Sequence, residues 1–182
     1  TSGTLYMAPG TLYKVLKGNS SYTDLDDIPR MYSTTFPYVL TGGTIELAGT
    51  GTNHQYQRLR SDNAFFNYVN VKYSGSNATG TYKNLSQATY IDSALYITGT
   101  PIVDCFTGAA GSAASFLGNG GLIMDGGLLR IRKRTDPNPE LEGIAMPYTL
   151  TGGTIEFYGT NAAGGTQQIR GNYGFPANVV NY

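Results

Sequence analysis

The sequence predicts an all-β protein that folds as a right-handed parallel β-helix, a solenoid, and forms one segment of a longer repeat protein. Three observations carry this prediction: an internal duplication, short β-rich runs separated by turn residues, and the absence of amphipathic helical periodicity. A chain of 182 residues is long enough to bury a substantial core. We therefore expect a single β-helical segment over 1–182.

The duplication is visible as two nearly identical stretches. Residues 37–50 return as 147–160, and eleven of the fourteen positions are identical. A shorter match with a slightly larger offset links Met7, Gly10 and Leu12 to Met124, Gly127 and Leu129. The repeating unit thus has about 110 residues, with one copy over roughly 7–123 and an incomplete copy over 124–182. Duplication in sequence order is typical of modular, elongated proteins.

Within each copy, β-rich runs recur at a spacing of roughly 20 to 30 residues, as in the successive turns of a solenoid. The predicted strands are Thr44–Leu47, 66–73, 90–98, 122–124 with 128–131, 154–158 and 178–182. Clusters of Gly, Asn, Ser and Thr separate them, as expected for turns. No window of about 11 residues that is free of Gly and Pro has the apolar spacing of a helix. The sequence therefore predicts strands alone.

Two all-β architectures fit short strands, and the repeat favours one of them. An immunoglobulin-like sandwich gives its strands different roles, whereas each turn of a parallel β-helix places the same residue types at stacked positions. A template of glycine followed by alternating apolar residues recurs at 43–47, 121–124, 127–131 and 153–157. Asn67, Asn70, Asn178 and Asn181 fit either stacked amide ladders or ordinary turns. The recurring template favours the β-helix.

Composition excludes several classes of function. Only 13% of residues are charged and the formal net charge is zero, so no basic field exists to attract nucleic acid. No apolar run reaches the length of about 18 residues that a membrane span needs, and we expect no membrane insertion. Cys105 and His54 are the only residues of their types, so we expect neither a disulfide nor a histidine-rich metal site. No catalytic motif is present, and we expect neither an enzyme nor a cofactor.

Several motifs resemble a known group of proteins. The Leu-Thr-Gly-Gly-Thr-Ile-Glu stretches at 40–46 and 150–156, with Gln-x-(Leu/Ile)-Arg at 57–60 and 167–170, are similar to repeats in large surface proteins of Bacteroidetes. That group includes gliding-motility adhesins exported by the type IX secretion system. The resemblance implies an extracellular, cell-surface location and a non-enzymatic role as a stalk or adhesin module. Its implied partners are the rest of its own long chain, surface glycans, and the secretion or motility machinery.

Two polar insertions, 17–30 and 133–143, are the candidate binding sites. Both place basic residues before clustered acids: Asp24, Asp26 and Asp27 in the first, and Asp136, Glu140 and Glu142 in the second. Their common place in the repeat predicts that they project from the same face. Three interpretations stay open: a calcium site, a catalytic carboxylate pair, and a solvated loop with weak ion pairs. A carbohydrate-binding or polysaccharide-cleaving β-helix is accordingly the alternative function.

Two further residue sets carry expectations. Ser93 lies in Asp92-Ser93-Ala94, which resembles the O-glycosylation motif used in Bacteroidetes, and is a candidate modification site. Arginine and glutamate recur together in the two copies, as Arg60 with Glu46 and Arg170 with Glu156. We expect Arg–Glu pairs between neighbouring turns of the β-helix.

Overall fold

A computed structural model describes residues 5–16, 38–49, 56–59, 67–76, 82–85, 89–104, 116–117, 120–131 and 148–157. Within these ranges the regular structure consists of β-strands, with no helix. The all-β prediction is confirmed for this part of the chain. The acidic insertions, His54, Cys105, Arg60 and Arg170 lie outside the described residues.

The described strands are short and follow one another through most of the chain. They are β1 (Leu5–Met7), β2 (Leu12–Val15), β3 (Tyr38–Leu40), β4 (Thr44–Leu47), β5 (Tyr56–Leu59), β6 (Asn67–Tyr73), β7 (Tyr82–Leu85), β8 (Thr89–Ile97), β9 (Ile102–Asp104), β10 (Phe116–Leu117), β11 (Gly121–Ile131) and β12 (Tyr148–Phe157). Every pairing among them is parallel. Parallel neighbours require a long connection between paired strands. From β1 to β11 each such connection contains described strands that pair elsewhere, and the connection from β11 to β12 lies outside the described residues.

The pairings define three columns of strands. The first column runs through β2, β4, the second half of β6, the second half of β8, and the first halves of β11 and β12. The second column runs through β5, β7, β9 and the second halves of β11 and β12. The third column contains the beginnings of β6 and β8 with β10. β1 and β3 form a separate two-stranded sheet, and we assign them to this column because β3 contacts β6 and both precede first-column strands. From β3 to β11 the chain visits the third, first and second columns in that order, and we call each such circuit a pass.

The core lies along rows of apolar side chains that follow the register of the first column. One row contains Val15, Leu47, Tyr73, Ile97, Met124 and Leu150. The row beside it contains Tyr13, Ile45, Val71, Leu95, Leu122 and Tyr148. The members away from the ends of these rows are at most 2% exposed. Because side chains alternate between the two faces of a strand, the residues between them point outward.

The corner between the first and second columns depends on two glycines. Gly127 has φ = 74°, a left-handed conformation that side chains with a Cβ adopt only at a cost. Gly126 lies against the backbone carbonyl of Gly99, and a Cβ at this position would collide with it. The corner therefore combines a backbone turn with close stacking of successive passes. This pattern explains why Gly-Gly precedes so many of the predicted strands.

The two copies of the repeated motif occupy different columns. In the first copy, the repeated motif forms β3 in the third column and β4 in the first. In the second copy, the same motif forms β12, whose halves lie in the first and second columns. The repeat is therefore not a whole number of passes, since it ends one column further on. The strands that border the two acidic insertions therefore lie in different columns. The insertions lie outside the described residues, and their common face stays a prediction.

Register also corrects the equivalence between the copies by one residue. Leu12 pairs with Thr44, and Leu128 pairs with Thr154, the repeat equivalent of Thr44. Leu12 thus corresponds to Leu128 and not to Leu129 as the sequence match suggested. The corner at 125–127 is one residue shorter than the corner at 8–11, which causes the shift. By the same register, Lys14 corresponds to Arg130.

Candidate functional site

Charged side chains on the outward face of the first column form a ladder across three strands. Lys14 of β2, Glu46 of β4 and Lys72 of β6 are consecutive register partners. The Nζ atoms of Lys14 and Lys72 lie 3.6 and 3.5 Å from the Glu46 carboxylate oxygens. One carboxylate thus bridges two ammonium groups, so the ladder joins three successive passes of the chain.

Glu46 is the most protected member of this ladder. Its side chain is 6% exposed, whereas those of Lys14 and Lys72 are 46% and 36% exposed. The Ser74 hydroxyl donates a hydrogen bond of 2.6 Å to Glu46 Oε1. Burial raises the pKa of Glu46, but the Ser74 hydrogen bond and the two lysines outweigh it and hold the pKa below its ordinary value of 4.5. The carboxylate is therefore stabilised in its charged form.

A second ladder lies on the outward face of the second column. Asp104, Arg130 and Glu156 are consecutive register partners. Arg130 Nε donates to Glu156 Oε2 at 2.7 Å, with side chains 35% and 41% exposed. Asp104 is buried, at 4% exposure. Acidic and basic residues alternate along both ladders, which is the favourable arrangement for directly opposed cross-strand pairs.

An Arg–Glu pair between passes does occur, but with an arginine that was not predicted. Glu156 pairs with Arg130, and the described partners of Glu46 are lysines. Sequence reasoning missed Lys14, Lys72, Ser74 and Arg130. Strand position was the available signal. Lys14, Lys72 and Arg130 are each the register partner of Glu46 or of its repeat equivalent Glu156.

A buried lysine is also unexpected. Lys83 of β7 is 2% exposed and is the register partner of Val103, which is itself fully buried in the second column. Its Nζ atom donates a hydrogen bond of 3.0 Å to the carbonyl oxygen of Gly49. Burial of an ammonium group is costly unless hydrogen bonds compensate it. Lys83 thus ties β7 to the residues that follow β4, a structural role.

A groove of about 520 Å³, lined by both polar and apolar groups, lies at the corner between the third and first columns. Its lining comprises Pro9, Gly10, Thr11, Leu12, Thr41, Gly42, Gly43, Thr44, Glu46, Val69, Asn70 and Lys72. Asn70 Nδ2 donates to the Gly43 carbonyl at 2.9 Å, so this amide bonds the neighbouring pass through its backbone. Thr41 Oγ1 likewise donates to the Met7 carbonyl at 3.1 Å. Both hydrogen bonds stabilise the corner and leave hydroxyl and amide oxygens as acceptors.

Ser93 lies in an exposed irregularity of β8. Asn67 and Tyr68 pair with Tyr90 and Ile91, but the next pair is Asn70 with Ala94, so Asp92 and Ser93 together oppose a single residue. Both are exposed. The Gly120 amide of the next pass donates to the Ile91 carbonyl at 2.8 Å and closes the ladder beside this bulge. The exposure of Ser93 is compatible with modification, which stays a prediction.

Within the described ranges, no group of three or more His, Cys, Asp or Glu residues is placed to bind a metal ion. Nor does this part of the chain contain a helix suited to crossing a membrane. Calcium binding by Asp24, Asp26, Asp27, Asp136, Glu140 and Glu142 stays a prediction, because these residues lie outside the described part.

Comparisons with known proteins identify no relative. No family model matches the chain, and searches among curated proteins and solved structures returned no match either. Function must therefore be inferred from the columns of strands, the two charge ladders and the groove.

Proposed function

We propose that this chain is a non-enzymatic stalk or adhesin module of a large secreted bacterial surface protein, folded as a right-handed parallel β-helix. One observation carries the proposal: the first column continues in register through six parallel strands, with two apolar rows along its length. Each pass adds the same contacts to the pass before it, as in repeat proteins whose stability grows by stacking. The right hand follows from the strong preference of parallel crossover connections.

The use of charge favours a structural role over catalysis. Each ladder joins neighbouring passes, and Glu46, whose carboxylate contacts Ser74 and two lysines, has a lowered pKa. A general acid needs the opposite, a pKa raised toward neutrality. The extracellular location, and the partners proposed above, rest on the resemblance of the repeated motifs to surface proteins of Bacteroidetes.

The proposal predicts how the length of the molecule grows with added sequence. Duplicating residues 38–147 in tandem adds one repeat, about four passes, and each pass should lengthen a β-helix by ~4.8 Å. We expect the maximum dimension from small-angle X-ray scattering to rise by about 20 Å while the cross-sectional radius of gyration stays constant. An enlarged molecule of unchanged axial ratio would contradict the β-helix.

Carbohydrate binding is a second candidate, favoured by the groove. Threonine hydroxyls, the Asn70 amide, the Lys72 ammonium group and the apolar Leu12 surround it. Such a combination of hydrogen-bonding groups with an apolar contact suits a sugar.

The second candidate predicts that the chain binds members of a glycan array through this groove. Leu12→Glu should abolish binding, because Leu12 lines the groove and is 58% exposed. Leu16→Glu is the matched control, since Leu16 is 67% exposed and outside the lining. Equal binding by both variants, or none by the parent chain, would exclude the groove as a glycan site. A reducing-sugar assay of the same proteins tests for cleavage.

A further inference from the structure

Strands β1 and β2 form an edge that is paired on one side only among the described strands. β1 pairs with β3 and β2 pairs with β4. The carbonyls of Thr11 and Val15 accept hydrogen bonds from the amides of Thr44 and Ala48. Because the N–H and C=O groups of alternate residues point to opposite sides of a strand, those of Leu12 and Lys14 face away from β4. This edge therefore presents backbone donors and acceptors in the pattern of a parallel ladder.

Apolar side chains are incompletely covered at the same edge. Tyr13 is half-buried, while Ile45, its register partner in the next pass, is 2% exposed. Tyr6 and Leu12 are 63% and 58% exposed. Exposed apolar residues gathered beside an unpaired strand edge are typical of a binding surface.

The internal repeat indicates which charge would complete this edge. Lys14 corresponds in register to Arg130, which lies between Asp104 on one side and Glu156 on the other. Lys14 has Glu46 on the β4 side, and no described strand lies on its other side. By the symmetry of the repeat, the missing neighbour is a carboxylate equivalent to Asp104.

We propose that the edge of β1 and β2 binds one more pass of the same repeat, through parallel strand pairing and a carboxylate placed in register with Lys14. The partner is thus a β-strand circuit like residues 89–121, with apolar residues facing Tyr13 and an acid facing Lys14. This inference rests on the proposed stacking function and adds the identity of the partner surface.

The test is a graft onto the full chain. A copy of residues 89–121 is inserted directly before Leu5, because Leu122 follows this segment in the chain and corresponds to Leu5. The amides of Leu12 and Lys14 should then exchange with solvent at least ~10-fold more slowly than in the parent chain. Asp104→Lys in the grafted copy should lower Tm by about 2–4 °C, since it places a second lysine opposite Lys14. In a Lys14→Met background this difference should vanish.

Each outcome decides the matter. Unchanged exchange at Leu12 and Lys14 would overturn the docking surface, including the case in which the graft stays unfolded. Suppose that amide exchange is slower but the Tm effect of Asp104→Lys does not depend on the Lys14 charge. The proposed carboxylate opposite Lys14 would then be wrong, and only the backbone pairing would stand. Failure of the stalk proposal is seen separately, in the scattering of the tandem duplication. A tandem chain that elongates beside a graft that does not dock would refute this inference alone.

Discussion

Replacing Leu95 by alanine is expected to lower the free energy of unfolding by about 2–5 kcal/mol. Leu95 is 1% exposed and lies in the apolar row between Val71 of the preceding pass and Leu122 of the following one. Removing its side chain takes contacts from both passes at once. In close-packed rows the neighbours relax only partly, so the lost transfer energy is joined by the cost of a cavity.

The first column supplies a matched control for this prediction. Leu12 belongs to the same column but points outward and is 58% exposed. Leu12→Ala should change the free energy of unfolding by no more than about 0.5 kcal/mol. Urea denaturation followed by circular dichroism measures both variants. Similar values for the two substitutions would mean that the apolar rows are not the core.

Several strands were predictable because local patterns determine them, whereas the short strands β2, β3, β5, β7, β9 and β10 were not predicted. The predicted strand Thr44–Leu47 has the observed bounds, and the runs at 122–124 and 128–131 are the two halves of β11. Glycine at the corners marks where these strands begin in the sequence. Gly127 needs a left-handed backbone and Gly126 a close approach to Gly99, so few other residues fit.

The relation between copies could not be predicted from the same patterns. The two similar motifs produce extended strands over equivalent residues, as two strands, β3 and β4, in the first copy and as the single strand β12 in the second. Their columns depend on the number of residues in every pass between them, which includes insertions and the bulge at Asp92 and Ser93. Differences in the number of residues per pass add up along the chain. As a result, the second copy of the motif lies one column further on than the first copy.

The charge ladders were missed for a related reason. Lys14, Glu46 and Lys72 are far apart in the sequence, and only the register of β2, β4 and β6 brings the three together. Arginine and glutamate that recur at matched positions indicate equivalence between copies, but equivalence does not reveal contact. The pairing partner comes from the neighbouring pass, which has a different sequence.

The two repeat-equivalent glutamates offer the sharpest test of the ladders. Glu46→Gln is expected to lower the free energy of unfolding by about 2 kcal/mol at neutral pH. The amide keeps the shape of the side chain but removes the negative charge that lies between Lys14 and Lys72. The Ser74 hydroxyl then donates to a neutral oxygen, which is a weaker acceptor than the carboxylate. Because both lysines are more than one-third exposed, solvent screens part of this loss.

Glu156→Gln is the control from the second copy. Glu156 is 41% exposed and has a single described cation, Arg130. An exposed pair of this kind contributes less than about 1 kcal/mol. We therefore expect the two substitutions to differ, although their positions in the repeat are the same. Equal losses would show that burial and the Ser74 hydrogen bond contribute nothing to the ladder at Glu46.

The effect of Glu46 should depend on pH in one direction. Its pKa is lower in the folded protein than the ordinary value of 4.5, so the folded state binds the proton less readily than the unfolded state. The stabilisation by Glu46 is then complete above pH 4.5 and is lost as the pH falls through the folded-state pKa. Urea titrations of the parent chain and Glu46→Gln should give a constant difference near neutral pH and a shrinking one below pH 4.5. A difference that persists unchanged in strong acid would mean that shape or packing, and not the carboxylate charge, stabilises the ladder.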